Sequence, residues 1–280
     1  MRHLAVLGSP IAHSLSPVLQ SAAYRLLGLD YEYGLAEVGS GGLQAFLANL
    51  DESWIGLSLT MPLKREVIPL LDEASPLVEQ LGVANTLVLS RRDDLPYLSG
   101  HNTDVDGIVR AIESRQDVRH DHAAILGGGA TAVSALTAAR DLGASRVSLH
   151  LRDPAKSGAL VDLADRLGVA LDIISLDTLS EAGPLDFVIS TLPGGVALPP
   201  VVPSSPEAVL LDVAYDPWPS PLARDWEAAG GSAVSGLEML LEQAIGQIRL
   251  FTGRAQDETL PDEEAIREAM RDAVGLPATR

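Results

Sequence analysis

Short continuous apolar runs alternate along this chain with stretches whose apolar residues recur at helical spacing, the rhythm of strands buried on both faces joined by amphipathic helices. Residues 3–7 (HLAVL) form the first run and predict a strand that ends at Gly8. Ser16-Pro17 then opens a helix expected to reach about Leu27, with Ser16 as its cap and Pro17 at its first position. Strand-like and helix-like stretches follow at 31–37, 43–49, 54–59, 65–71 and 86–89. This is a βα alternation.

The pattern restarts at 123–126 (AAIL), runs into Gly127-Gly128-Gly129-Ala130, and continues as a helix to about Leu142 and a second strand at 146–150. Further strands are expected at 171–174, 186–190 and 209–212, with a helix at 160–167. Beyond Gly236, residues 237–251 place Leu240, Ala244, Ile248 and Phe251 on one helical face, with Gly253 as the stop. Little chain remains after that helix, so it is expected to return to the first domain. The acid-rich segment from Asp257 predicts one more amphipathic helix and a frayed end. The expected fold is therefore α/β with two domains. Residues 1–104 and 237–280 make one discontinuous domain, and 105–236 make a Rossmann-type dinucleotide-binding domain.

Length and composition agree with this. The 280 residues suffice for two medium cores, and 46% hydrophobic with 21% charged residues is the balance of a soluble globular protein. A formal charge of −18, from 38 acids against 20 bases, gives a surface that repels nucleic acid and anionic lipid, so neither is an expected partner. A phosphate-bearing ligand then needs a locally basic pocket. The absence of cysteine excludes disulfides, thiol catalysis and thiolate-bound metal, and no His/Asp/Glu spacing suggests a metal site. The N-terminal apolar run is too short for a signal-peptide core, and no stretch approaches the roughly 20 apolar residues of a membrane helix, so a cytoplasmic location is expected.

The run Gly127-Gly128-Gly129-Ala130-Thr131-Ala132 satisfies G-x-G-x-x-A between a strand and a helix. Gly127 turns the chain, Gly129 admits a pyrophosphate, and Ala132 lets the helix pack closely. Free N–H groups and the helix dipole favour the phosphates there. After the second strand stand Arg152 and Asp153. Arginine suits the 2′-phosphate of NADP and aspartate the 2′-hydroxyl of NAD; Lys156 adds a nearby cation and favours NADP, with NAD still open.

Five polar clusters remain: 8–17 (GSPIAHSLSP), 58–64 (SLTMPLK), 84–87 (ANTL), 102–107 (NTDVDG) and 236–244 (GLEMLLEQA). With the glycine loop and 212–222 (DVAYDPWPSPL), they resemble in order and spacing the signature segments of the shikimate dehydrogenase family, to about Gly253. The resemblance implies that Ser14 and Ser16 hold a substrate carboxylate, and that Thr60, Lys64, Asn85, Asp104 and Gln243, with Tyr215, meet the rest of the substrate. Gly127, Gly128, Gly129, Ala130, Arg152, Thr191, Gly236 and Met239 would line the cofactor side. It also implies reduction of 3-dehydroshikimate by NADPH in aromatic amino-acid biosynthesis, with Lys64 as proton donor and Asp104 orienting it. Short hydroxyl donors for an anion and two-way amides for ring hydroxyls are the chemistry such a substrate requires. His13 and His101 flank the motifs and are given no catalytic role.

Two departures stand out. The family commonly has asparagine where this chain has Ser58, and its usual Asn-Arg-Thr after the second cofactor strand is here Leu151-Arg152-Asp153. Alternatives are an NAD-dependent quinate/shikimate dehydrogenase, a non-catalytic sensor of a shikimate-type ligand, and a folate-linked dehydrogenase. A monomer or homodimer is expected.

Overall fold

A computed structural model describes residues 1–93, 95–114 and 121–277. The expected frayed end reaches into 278–280, which lie outside the described residues. Contacts divide the chain into two compact units, Met1–Thr103 with Gln243–Arg280, and Asp104–Glu242.

The first unit holds strands β1 (Arg2–Gly8), β2 (Tyr31–Glu37), β3 (Trp54–Leu59), β4 (Glu73–Ala74), β5 (Thr86–Arg92) and β6 (Leu95–His101). Its helices before the crossing are α1 (Ser16–Leu26), α2 (Leu43–Leu47), α3 (Leu63–Glu66) and α4 (Pro76–Leu81). The sheet order is β2-β1-β3-β5-β6-β4, with β1 parallel to both neighbours and β5 antiparallel to β3 and β6. Leu7, Leu57, Leu59, Leu63 and Leu87 pack in its core. Strand β6 escaped sequence reading because Pro96 and its polar residues look like loop, although it pairs with β5 along its whole length. The stretch read as 65–71 is in fact the single turn α3 followed by a tighter 3₁₀ turn at Ile68–Leu70.

The second unit holds α5 (Asp104–Glu113), β7 (His122–Leu126), α6 (Ala130–Asp141), β8 (Arg146–Leu151), α7 (Gly158–Leu167), β9 (Ala170–Ser175), β10 (Phe187–Ser190), β11 (Val209–Asp212), α8 (Pro221–Ala228) and β12 (Ser232–Ser235). All its strands are parallel, in the order β12-β11-β10-β7-β8-β9. Numbered within the unit that is 3-2-1-4-5-6 read from β9, the Rossmann order. The apolar residues of β7, β10 and β11, at 123–126, 187–189 and 209–211, are all buried, as a helix-covered parallel sheet demands.

Helix α9 (Gly236–Phe251) is continuous, and the division between units falls inside it, at Glu242/Gln243. Helix α10 (Glu263–Ala273) follows and packs on α1. Arg249 of α9 is buried and held by the Glu263 carboxylate, with Nε to Oε2 at 2.9 Å, which ties the two helices together. Among the described residues, no helix is long and apolar enough to cross a membrane.

Candidate active site

In the first unit, the site is built where β1 and β3 end and β5 begins. Backbone hydrogen bonds stitch the segments: Thr60 N–H to the Leu7 carbonyl at 2.9 Å, Leu59 N–H to Asn85 at 2.7 Å, Ala84 N–H to Lys64 at 2.9 Å and Asn85 N–H to His101 at 3.1 Å. The Leu63 N–H donates to the Thr60 carbonyl at 2.8 Å, which makes the turn that starts α3 and carries Lys64. Lys64 is buried at 8% exposure, and Asn85, Thr86, Asn102 and Thr103 are buried as well. Thr60 is half-buried.

Ser14 and Ser16 stand at the N-terminus of α1, and the Ser16 N–H donates to Ser14 Oγ at 3.3 Å. The expectation that Ser16 caps this helix is corrected: Leu15 is the cap residue, no side chain makes a capping bond, and Ser16 is already the first helical residue. Residue type alone leaves a one-residue ambiguity in a cap, and here the Val18 and Leu19 N–H groups bond the Leu15 carbonyl, setting the start one residue earlier. Asp104 is the first residue of α5.

Gln243 of α9 meets Asn85 directly. The Asn85 Nδ2 group donates to Gln243 Oε1 at 3.0 Å and to Thr103 Oγ1 at 2.9 Å. Sequence reading missed the neighbours that hold these amides: Gln247, Thr86, Thr103 and Tyr33. Gln247 lies one turn beyond Gln243 on a mostly apolar helix, and that i, i+4 polar pair was the available signal. Tyr33 offered none, because its bond to Ser58, at 2.6 Å, reaches from β2 to β3 with β1 between them.

In the second unit, the strand order reverses between β7 and β10, and ligands of open α/β sheets bind outside the carboxyl ends of strands at such a switch. Gly127 follows β7 with φ +103°, and a Cβ there would stand 2.7 Å from Thr191 Oγ1, just beyond β10. Thr191 is fixed by its N–H and Oγ1, both donating to the Leu126 carbonyl. Gly128 lies against Leu151, whereas a Cβ at Gly129 would meet nothing. Gly129 also precedes α6 without a side-chain cap bond, and Gly128 and Gly129 are exposed. A dinucleotide pyrophosphate fits this cradle.

Arg152 is exposed immediately after β8. Asp153 accepts from the Ala155 N–H at 3.3 Å and pairs with Lys156 Nζ at 3.3 Å. Lys156 thus pairs across the turn, and Arg152 lies exposed at the strand end. The 213–219 loop, which carries the half-buried Tyr215, is anchored by Asp212, whose carboxylate accepts from Ser220 Oγ at 2.6 Å and from the Ala214 N–H at 3.3 Å. Burial raises the Asp212 pKa above its usual range, opposed by these hydrogen bonds. Gly236 is pressed against the Val213 backbone and Met239 is buried one turn into α9. Asp104, Tyr215, Gly236 and Met239 belong to this unit, whereas Lys64 and Gln243 belong to the first.

A family profile described as the shikimate dehydrogenase substrate binding domain matches residues 6–87. A shikimate dehydrogenase (NADP(+)) of Ignicoccus hospitalis is 33% identical over 89% of this chain and 92% of its own length. The crystal structure of Mycobacterium tuberculosis shikimate dehydrogenase is 36% identical, with a TM-score of 0.81 over 98% of this chain and 99% of that one. The Thermus thermophilus shikimate 5-dehydrogenase in complex with NADP(H) and shikimate is 29% identical, with a TM-score of 0.78 over 98% and 100%. The chain also matches the pentafunctional AROM polypeptide of Yarrowia lipolytica at 31% identity, spanning 16% of that longer protein.

Proposed function

The chain belongs to the shikimate dehydrogenase family, and on that premise we propose that it reduces 3-dehydroshikimate to shikimate with NADPH, reversibly, as a step of aromatic amino-acid biosynthesis. The observation that carries this reading is the meeting of Asn85 and Gln243 at the strand ends from which α3 brings Lys64.

NADPH, when bound, supplies the hydride that reduces the ring carbonyl. The Gly127–Ala130 turn and the N-terminus of α6 would hold its pyrophosphate, and Arg152 its 2′-phosphate. Lys64, as an ammonium, polarises the substrate oxygen and donates the proton that turns the developing alkoxide into a hydroxyl. Asp104 orients that lysine and the adjacent hydroxyl. Ser14 and Ser16 bind the carboxylate, remote from the chemistry, while Thr60, Asn85, Tyr215 and Gln243 take the ring oxygens.

Asp153 is the one feature that favours a second reading, NAD-dependent oxidation of quinate or shikimate. Its carboxylate is already engaged by the Ala155 N–H and Lys156, which supports the NADP reading. Steady-state rates with shikimate or quinate and with NADP or NAD separate the two. The expected result is the highest kcat/KM for shikimate with NADP; a preference for quinate with NAD would favour the second reading.

A further inference from the structure

A side-chain amide has nearly the same shape either way round, so only its partners decide which end donates. At Asn85 the decision rests on two donors. The Thr103 N–H, which can only donate, lies 2.8 Å from Asn85 Oδ1, and Thr86 Oγ1 donates to the same oxygen at 2.8 Å. The Nδ2 end is thereby turned toward Gln243, and the Gln243 atom 3.0 Å away has to be its oxygen.

A second backbone group fixes Gln247. The Asn85 carbonyl, which can only accept, receives Gln247 Nε2 at 3.4 Å, and the same nitrogen donates to Thr86 Oγ1 at 3.2 Å. Gln247 Oε1 therefore faces Ser58 Oγ, which donates to it at 2.8 Å, and Gln20 Nε2 at 3.2 Å. Ser58 in turn accepts from the Tyr33 hydroxyl at 2.6 Å. Burial holds the Tyr33 phenol far above its ordinary pKa, so it stays a neutral donor at any working pH.

The bonds run in one direction, from Tyr33 through Ser58, Gln247, Thr86 and Asn85 to Gln243. We propose that this circuit fixes the sense of the Gln243 amide so that it offers N–H, not C=O, to a substrate oxygen. Gln247, Thr86, Ser58 and Tyr33 then act as positioning residues, and the site selects a substrate oxygen that accepts at that point. The inference rests on the proposed function only in taking Gln243 as a substrate contact.

Thr86→Val removes the hydroxyl relay at nearly constant shape, and Thr86→Ser restores it. Gln243→Glu keeps an oxygen for Asn85 but replaces the N–H donor by an acceptor. The expected result is that Thr86→Val and Gln243→Glu raise KM for 3-dehydroshikimate about tenfold or more while KM for NADPH stays put, with Thr86→Ser near wild type. Wild-type KM in Gln243→Glu, or equal behaviour of the Val and Ser variants, would overturn the proposal. A substrate-free readout keeps it separate from the activity: the Asn85 side-chain amide protons should exchange slowly in wild type and Thr86→Ser, and quickly in Thr86→Val. Unchanged exchange in Thr86→Val overturns the circuit. Retained protection in a wild type that does not turn over 3-dehydroshikimate overturns the functional reading alone.

Discussion

The side-chain nitrogen of Asn85 lies 3.0 Å from Oε1 of Gln243, a contact between residues separated by 158 positions in sequence. It pins helix α9 to the start of β5, so a candidate site residue from α9 is held by one from the N-terminal half. Asn85→Ala removes a proposed substrate partner and releases Gln243 together. KM for 3-dehydroshikimate should rise by about tenfold or more, the cost of a lost hydrogen bond and a freed neighbour, with KM for NADPH unchanged. Steady-state kinetics in each substrate checks this; a parallel rise in both values would mean general loosening of the fold instead.

Lys64→Ala and Asp104→Ala should each lower turnover by about two to four orders of magnitude, the range for a lost acid–base group. The variants should still bind NADPH, as followed by fluorescence. A lysine variant with near wild-type turnover would remove Lys64 from the mechanism.

Much of this was legible in the sequence, for a physical reason. Parallel strands covered on both faces carry short apolar runs, and AAIL and FVI announce β7 and β10 without any tertiary knowledge. The glycine loop was equally plain, since its backbone demands appear as residue type. What stayed hidden depends on long-range pairing. Strand β6 contains Pro96 and reads as loop, and β12 (SAVS) is too short to show a period. The Tyr33–Ser58–Gln247 chain joins two strands and a helix far apart in sequence. Ser58, where the family commonly has asparagine, has two polar partners in that chain, Tyr33 and Gln247. The turn bond and ion pair that engage Asp153 were likewise invisible in the sequence.

Arg152→Ala should raise KM for NADPH by about tenfold or more and leave KM for NADH nearly unchanged, because only the former carries the 2′-phosphate that a charge-assisted bond would hold. Equal effects on both coenzymes would place Arg152 away from the adenosine ribose.

His150 should make the second unit acid-sensitive. Its ring is fully buried with neither nitrogen hydrogen-bonded, and burial first, then His122, lowers its pKa. The unfolded chain therefore takes up the proton more readily. This contribution to stability is complete above the unfolded value of about 6.5 and is lost as pH falls from there toward the depressed folded value. Urea midpoints measured across that window should fall less steeply in His150→Leu than in wild type. Identical slopes would show that this ring is not the group that titrates.

Hydride transfer can be followed atom by atom. Incubation with 3-dehydroshikimate and NADPH carrying deuterium at both nicotinamide C4 positions should give shikimate one mass unit heavier, with the label on the carbon that bore the carbonyl. Unlabelled shikimate, or none above a protein-free control, would contradict the assignment.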